Sequence, residues 1–205
     1  MNYQEMGRCG RNACRPLGPV ESVRNMYDRL DEEFICRDDK FQGNIVTVHV
    51  DQVRLPNGHT ASREVVDHSG GVAVLPLDHE NNVLAVRQYR YVFGRTLLEI
   101  PAGKLDPGED PAAGGLRELW EETGAVPEIF QPLGHILPSP GCYGETLYLF
   151  LARGLKLEAQ HLDPDEFLQV ERVPFDEMVH RCLTGELEDA KTVAAVLKAK
   201  VLLNL

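Results

Sequence analysis

Residues 103–125 read GKLDPGEDPAAGGLRELWEETGA, and the fold is decided by how this stretch is read. Asp110 is a short acceptor placed to cap a helix. Pro111 suits the first helical turn, where an N–H would lack a partner in any case. Gly124 suits the left-handed residue that ends a helix. The spacing therefore predicts a helix over 111–123. On it Ala112, Leu116, Leu119 and Thr123 recur at three- and four-residue intervals, with Trp120 flanking, and form the face expected to pack on a sheet. Glu118, Glu121 and Glu122 fall on the roughly opposite side, close enough to interact.

That acidic triplet is locally unfavourable. Like charges at this spacing repel by a few tenths of a kcal/mol per pair. They also sit in the last turn, where the helix dipole is already negative. Only Arg117 lies beside them as a base. The helix alone leaves two readings open: a solvated acidic face, or carboxylates gathered for a hard divalent cation such as Mg²⁺ or Mn²⁺. Just upstream, IPAGKLDPGED (100–110) is a Gly/Pro loop of the kind that brings backbone groups close to a metal or phosphate. Gly114 and Gly115 lie inside the helix, at about 1 kcal/mol each relative to alanine. Gly114 points to the acidic side, which is either room for a neighbouring segment or ligand, or a neutral packing choice.

Outward from the helix, the text alternates with period two. NIVTVHVDQVRL (44–55) carries Val46, Val48 and Val50 on one face, Pro56-Asn57-Gly58 turns the chain, and ASREVVDH (61–68) returns. GGVAVLPLD (70–78) and NNVLAVRQYRYV (81–92) read as two more strands, and TLLEIPAG (96–103) as a short one running into the loop. Further strands are expected near 129–137, 146–152 and 168–173. After Pro174, FDEMVHRCLTGE (175–186) is amphipathic, and Asp189 caps a last helix over 190–203. Residues 1–19 lack periodicity and read as a mobile tail, and 20–33 as a short helix. Strands, helix, strands and helices in that order do not make a doubly wound parallel sheet. They predict an α+β fold, an α/β/α sandwich in which helix 111–123 and the C-terminal helices pack on a mixed sheet.

At 205 residues the chain fits one domain with an appended element. A net charge of −11 gives no basic footprint for nucleic acid, yet an anionic small molecule remains accessible if cations or local arginines supply positive charge. The five cysteines (Cys9, Cys14, Cys36, Cys142, Cys182) are odd in number and scattered, which reads as reduced thiols rather than a zinc site. No apolar run has the length of a membrane span and no signal-peptide core stands at the N-terminus, so a cytoplasmic protein is expected.

The helix and its loop match a known pattern. Gly103, then after five residues Glu109, then after seven more Arg117, followed by Glu118, Leu119, Glu121, Glu122 and Gly124, resemble the Nudix box, G-x5-E-x7-R-E-U-x-E-E-x-G-U. The one departure is the last position, Ala125 instead of a bulky aliphatic. The likeness extends to REVVDHSGGVAVLPLD (63–78), VLAVRQYRY (83–91), LLEIPAGKLDPGE (97–109) and LPSPG (137–141), which are similar to the ADP-ribose pyrophosphatase branch, including a proline at Pro140. It covers roughly 32–203. The resemblance implies a hydrolase domain over 32–205 with an N-terminal strand subregion at 32–66, and an extension at 1–31 outside it.

The same resemblance implies roles. Glu118 and Glu122 are the principal metal ligands, Glu121 an auxiliary one, and the carbonyl of Ala102 a backbone ligand. Gly103, Glu109 and Arg117 support the site. A late-loop carboxylate, Glu166 with Asp163 and Asp165 as neighbours, is the general base or a further metal contact, with Glu121 and Glu122 completing the catalytic set. Arg63 and Arg90 contact the diphosphate or terminal ribose, and Glu145 the terminal sugar. The implied activity is Mg²⁺-dependent cleavage of ADP-ribose to AMP and ribose 5-phosphate, or of a related nucleoside diphosphate sugar, by a homodimer that binds neither nucleic acid nor membrane. The alternatives are a Nudix-like nucleotide-sugar sensor that binds without hydrolysis, which would be expected to lack one of the glutamates, and a plain interaction domain.

Overall fold

The computed structural model describes residues 30–204, and these divide into two units. The smaller holds residues up to His68 together with Ser139–Gly144. It is a three-stranded antiparallel sheet in the order β1 (Glu33–Gln42), β2 (Val46–Arg54), β3 (Thr60–His68). The segment 139–144 runs beside β3, with the Val66 amide donating to the Cys142 carbonyl at 2.8 Å and the Gly144 amide to the Val66 carbonyl at 2.8 Å. Strand β1 was not expected: EFICRDDKFQ carries too many charges for its alternation to stand out, and it owes its form to pairing with β2. Of the helix expected over 20–33, residues 20–29 lie outside the described residues, as does the tail 1–19. Residues 30–33 are turn, irregular chain and the start of β1, so no helix stands there.

The larger unit carries the remaining elements. They are β4 (Gly71–Leu77), β5 (Asn82–Arg90), β6 (Arg95–Glu99), β7 (Ala102–Lys104), α1 (Pro111–Thr123), β8 (Ala125–Ile136), β9 (Leu147–Leu157), β10 (Leu168–Pro174), α2 (Phe175–Thr184) and α3 (Ala190–Leu203). The seven-stranded sheet runs β10-β5-β4-β9-β8, with β6 beside β5 and β7 beside β4. All pairs are antiparallel except β4 and β9, which are parallel. The mixed sheet and its helices are the α+β architecture that the element order implied.

Every residue of β4 is buried, because both faces of the strand are covered. Val72 and Val74 point to one side, into a cluster with Leu84, Leu105, Leu119, Ala125, Phe150 and Ala152. Ala73, Leu75 and Leu77 point to the other, with Leu149, Leu151, Met178, Ala195, Val196 and Ala199. The first layer belongs to α1 and the second to α2 and α3. Ala125, the position where the box departs from a bulky aliphatic, is fully buried in the first layer.

Helix α1 has the bounds its caps implied. Asp110 accepts from the amides of Ala112 and Ala113 at 3.0 and 3.1 Å, and Gly124 ends it at φ 67° with its amide on the Trp120 carbonyl. Its buried face differs from the one expected. Leu116 is 41% exposed, and the buried residues are Gly114, Gly115, Leu119 and Thr123 together with Glu118 and Glu122. The glycines explain this: a Cβ on Gly115 would press on Val72 and Phe130, and one on Gly114 on Leu105 and Glu109. The helix lies so close to the sheet and the preceding loop that its glycine side and its glutamate side both turn inward.

Candidate active site

Three elements meet at α1: the β6–β7 corner, the loop 105–110, and the loop between β9 and β10. The corner comes first in the chain. Strand β7 pairs with β4 through Ala73↔Ala102 and Val72↔Gly103, which fixes Ala102 and Gly103 over the middle of α1. The Ala102 amide donates to Glu122 Oε2 at 3.1 Å. Gly103 has no side chain, and a Cβ there would overlap the Glu118 carboxylate. Glycine is needed at this position so that a carboxylate can lie flat on the strand.

Arg117 organises the acidic side. Its guanidinium donates to both oxygens of Glu109 at 3.0 Å, to Glu118 Oε1 at 2.8 Å, to Glu121 Oε2 at 3.1 Å and to the Lys104 carbonyl at 3.2 Å. Glu109 also accepts from the Asp106 amide at 3.0 Å, which closes the loop ahead of the helix. The Arg117 fork holds the Glu109 carboxyl below its usual range, with the Asp106 amide adding to the effect.

Glu118 and Glu122 are only 8% and 1% exposed. Burial, joined by the Glu118 and Glu166 charges and opposed by the Ala102 amide and Arg90, pushes the Glu122 carboxyl up to about 8. Burial likewise raises Glu118, against the Arg117 hydrogen bond and with help from Glu121 and Glu166. Buried carboxylates that crowd one another and a third acidic side chain have the chemistry of a hard-cation donor set: oxygen ligands whose mutual repulsion a divalent charge relieves. Gly103 adds the space and Ala102 the nearby backbone. Among the described residues no three His, Cys, Asp or Glu side chains converge in metal-ligand geometry. Glu118 and Glu121 turn to Arg117, and Glu122 to Ala102.

Glu166 stands on the β9–β10 loop, in a turn closed by its own amide on the Asp163 carbonyl at 2.9 Å. An open cleft of about 410 Å³ runs past it, lined by Arg87, Thr96, Leu162 and Phe167 among others. Arg90, at the end of β5, donates Nε and Nη2 to the two oxygens of Glu99, each at 2.7 Å. Its charge is among those that Glu122 senses.

The larger unit thus brings Ala102, Gly103, Glu109, Arg117, Glu118, Glu121, Glu122, Glu166 and Arg90 into one electrostatic neighbourhood. Glu145 stands two residues ahead of β9, beside Gly71. Arg63 belongs to the smaller unit, on β3, where Glu32 holds its guanidinium. Sequence reasoning passed over Glu99, Lys191, Gln160 and His161. Glu99 is 1% exposed and takes Lys191 from α3 as well as Arg90. An acidic residue inside the apolar run LLEIP was the available signal, since a buried carboxylate needs paired cations.

Comparison with known proteins follows the same lines. Residues 67–196 match the family model described as NUDIX domain, and residues 37–66 the one described as nucleoside diphosphate sugar hydrolase N-terminal domain. The chain is 42% identical over 169 residues to the methanol dehydrogenase activator of Bacillus methanolicus, covering 82% of this chain and 91% of that protein. It is 39% identical to the ADP-ribose pyrophosphatase of Bacillus subtilis (strain 168), with the same 82% and 91% coverage. A solved structure described as an ADP compounds hydrolase superposes with a TM-score of 0.76 at 20% identity, over 85% of this chain and 96% of that one, and so shares the fold. Among the described residues no helix is long and apolar enough to cross a membrane.

Proposed function

This chain belongs to the Nudix hydrolase family, and on that premise we propose that its α1 site hydrolyses the diphosphate of ADP-ribose, giving AMP and ribose 5-phosphate, or of a closely related nucleoside diphosphate sugar. The observation that carries the reading is Glu122: a nearly fully buried carboxylate whose neighbours include two further acids. Such a group is costly in a merely structural helix and useful where divalent charge is bound.

Glu118, Glu121 and Glu122, with the carbonyl of Ala102, would hold Mg²⁺, or Mn²⁺ in its place, and the ion supplies charge neutralisation on the diphosphate oxygens. The protein's own groups do the rest. Arg117 keeps Glu109, Glu118 and Glu121 in fixed positions. Arg90, steadied by Glu99, offers the edge of its guanidinium to a phosphate oxygen. Glu166 takes the proton of the attacking water, which must lie in line with the bond that breaks. Glu145 is assigned to the terminal ribose end of the substrate. The same reading takes 32–66 as the N-terminal subregion of one hydrolase domain, and a homodimer as its assembly, which sedimentation velocity checks.

A sensor that binds without hydrolysis is disfavoured because every acid of the box is in place. The decisive experiment incubates the full chain with Mg²⁺ and a panel of nucleoside diphosphate sugars in ¹⁸O-water, with products read by mass. AMP and ribose 5-phosphate, one of them carrying the label, are expected from ADP-ribose. Intact substrate across the whole panel would sink the proposal.

A further inference from the structure

The last turn of α1 does more than carry glutamates. A helix ends with carbonyls that lack partners inside it. Here a single segment, 158–161, takes two of them, together with the carbonyl of the cap residue Gly124. The His161 amide donates to the Glu121 carbonyl at 2.9 Å, the Gln160 side-chain amide to the Glu122 carbonyl at 2.6 Å, and the Glu158 amide to the Gly124 carbonyl at 2.7 Å. The approach is close enough that a Cβ on Gly124 would overlap the Glu158 carbonyl.

Side chains reinforce this seam. The Trp120 indole N–H donates to the Glu158 carboxylate at 3.0 Å. Its ring lies on the His161 imidazole, with centroids 3.9 Å apart and planes 18° from parallel. The Nudix box leaves the position of Trp120 free, and His161 lies outside the box, so neither residue is explained by the cation site. A few residues beyond His161, the same segment reaches Glu166, whose charge is felt by both Glu118 and Glu122. Beyond Glu166 the chain is fixed again, where Leu168 pairs with Gln88.

We propose that Trp120 and His161 form an aromatic latch that seats the 158–166 loop on the end of α1 and so sets the position of Glu166 over the buried glutamates. They are positioning residues: they touch no reacting atom and act through Glu166. The proposal rests on the assignment of Glu166 as the general base. A carboxylate that must accept a proton from one oriented water loses rate steeply when displaced, while substrate affinity, set elsewhere, is little changed.

Trp120 is the only tryptophan in the chain, so its emission reports this seam alone. Imidazole stacked on indole quenches that emission. The test uses full-length protein with Mg²⁺ and ADP-ribose, and compares His161→Ala, His161→Phe, Glu166→Gln and the double variant His161→Ala/Glu166→Gln. His161→Ala is expected to brighten Trp120 and lower kcat by about tenfold with KM changed by less than about twofold. His161→Phe, which keeps a flat ring on the indole, is expected to restore most of kcat. In the Glu166→Gln background His161→Ala is expected to cost less than about twofold more, since the group it positions is already disabled. Wild-type kcat in His161→Ala, with Glu166→Gln crippled, would overturn the latch alone. A full tenfold further loss in the double variant would overturn its action through Glu166. Full turnover in Glu166→Gln would overturn the base assignment and the latch's catalytic part with it.

Discussion

Glu99 receives Arg90 as a fork, Nε on one carboxylate oxygen and Nη2 on the other, both at 2.7 Å, and Lys191 closes on the same carboxylate from α3. Burial works to raise the Glu99 carboxyl, but the Arg90 fork and Lys191 outweigh it and hold it below its usual range. Glu99→Gln leaves two cations facing each other without their anion. We expect it to lower the unfolding free energy by about 3 kcal/mol in guanidinium chloride titrations. The sign with pH follows from the depressed value. The stabilisation is fully present above the ordinary carboxylate range and is lost as pH falls through the lower, folded-state value. The gap between wild type and Glu99→Gln should therefore narrow in acid, and a gap that widened there would refute the pairing.

Arg90→Lys keeps the charge but not the fork. A compact ammonium cannot satisfy both Glu99 oxygens while its other edge meets a phosphate. KM for ADP-ribose is expected to rise by about tenfold, with a smaller change in kcat. Unchanged KM would remove Arg90 from the substrate contacts.

Gly103→Ala introduces one methyl group where the Glu118 carboxylate lies. Either the strand or the carboxylate must move. We expect kcat to fall by about a hundredfold or more and the fold to lose about 1–3 kcal/mol, as other overpacked sites do. Isothermal titration with Mg²⁺ should show weaker binding, and wild-type affinity would contradict the close approach.

Glu122→Gln separates stability from activity. With a folded value near 8 against an ordinary 4.5, the wild-type carboxyl resists ionising in the fold more than in the unfolded chain. Stability of the EDTA-treated protein should therefore decline as pH rises from about 4.5 to about 8. Glutamine cannot ionise and still accepts from Ala102, so the variant should escape that decline and be more stable at pH 7 by on the order of 1–3 kcal/mol. Its turnover should be lost, along with any rise in Tm on adding Mg²⁺. A variant less stable than wild type throughout this range would count against the buried charge.

The elements that could be read from the sequence were those with their own punctuation. Asp110, Pro111 and Gly124 mark α1 at both ends, and Asp189 marks the start of α3, where it caps the Thr192 amide. The box residues were legible because side-chain type and spacing alone define them. What stayed hidden depends on partners far along the chain. Strand β1 exists through β2, Leu116 faces outward because Gly114 and Gly115 draw the helix in on another side, and the loop 158–161 is placed by carbonyls that any sequence would offer. Glu99 sits between these cases. Its type signals a buried pair, but nothing local says that Lys191 will be one of the partners.

The parallel ladder between β4 and β9 has a consequence for biogenesis. Gly71 lines up with Leu147 and Leu77 with Arg153, so the most deeply covered strand of the sheet waits for a neighbour synthesised much later. Until residues near 153 have left the ribosome, the run GVAVLPL has an open, wholly apolar edge. A nascent chain stalled between these two points is a natural client for chaperones, and truncations that end before β9 should accumulate as aggregates rather than as a smaller folded protein.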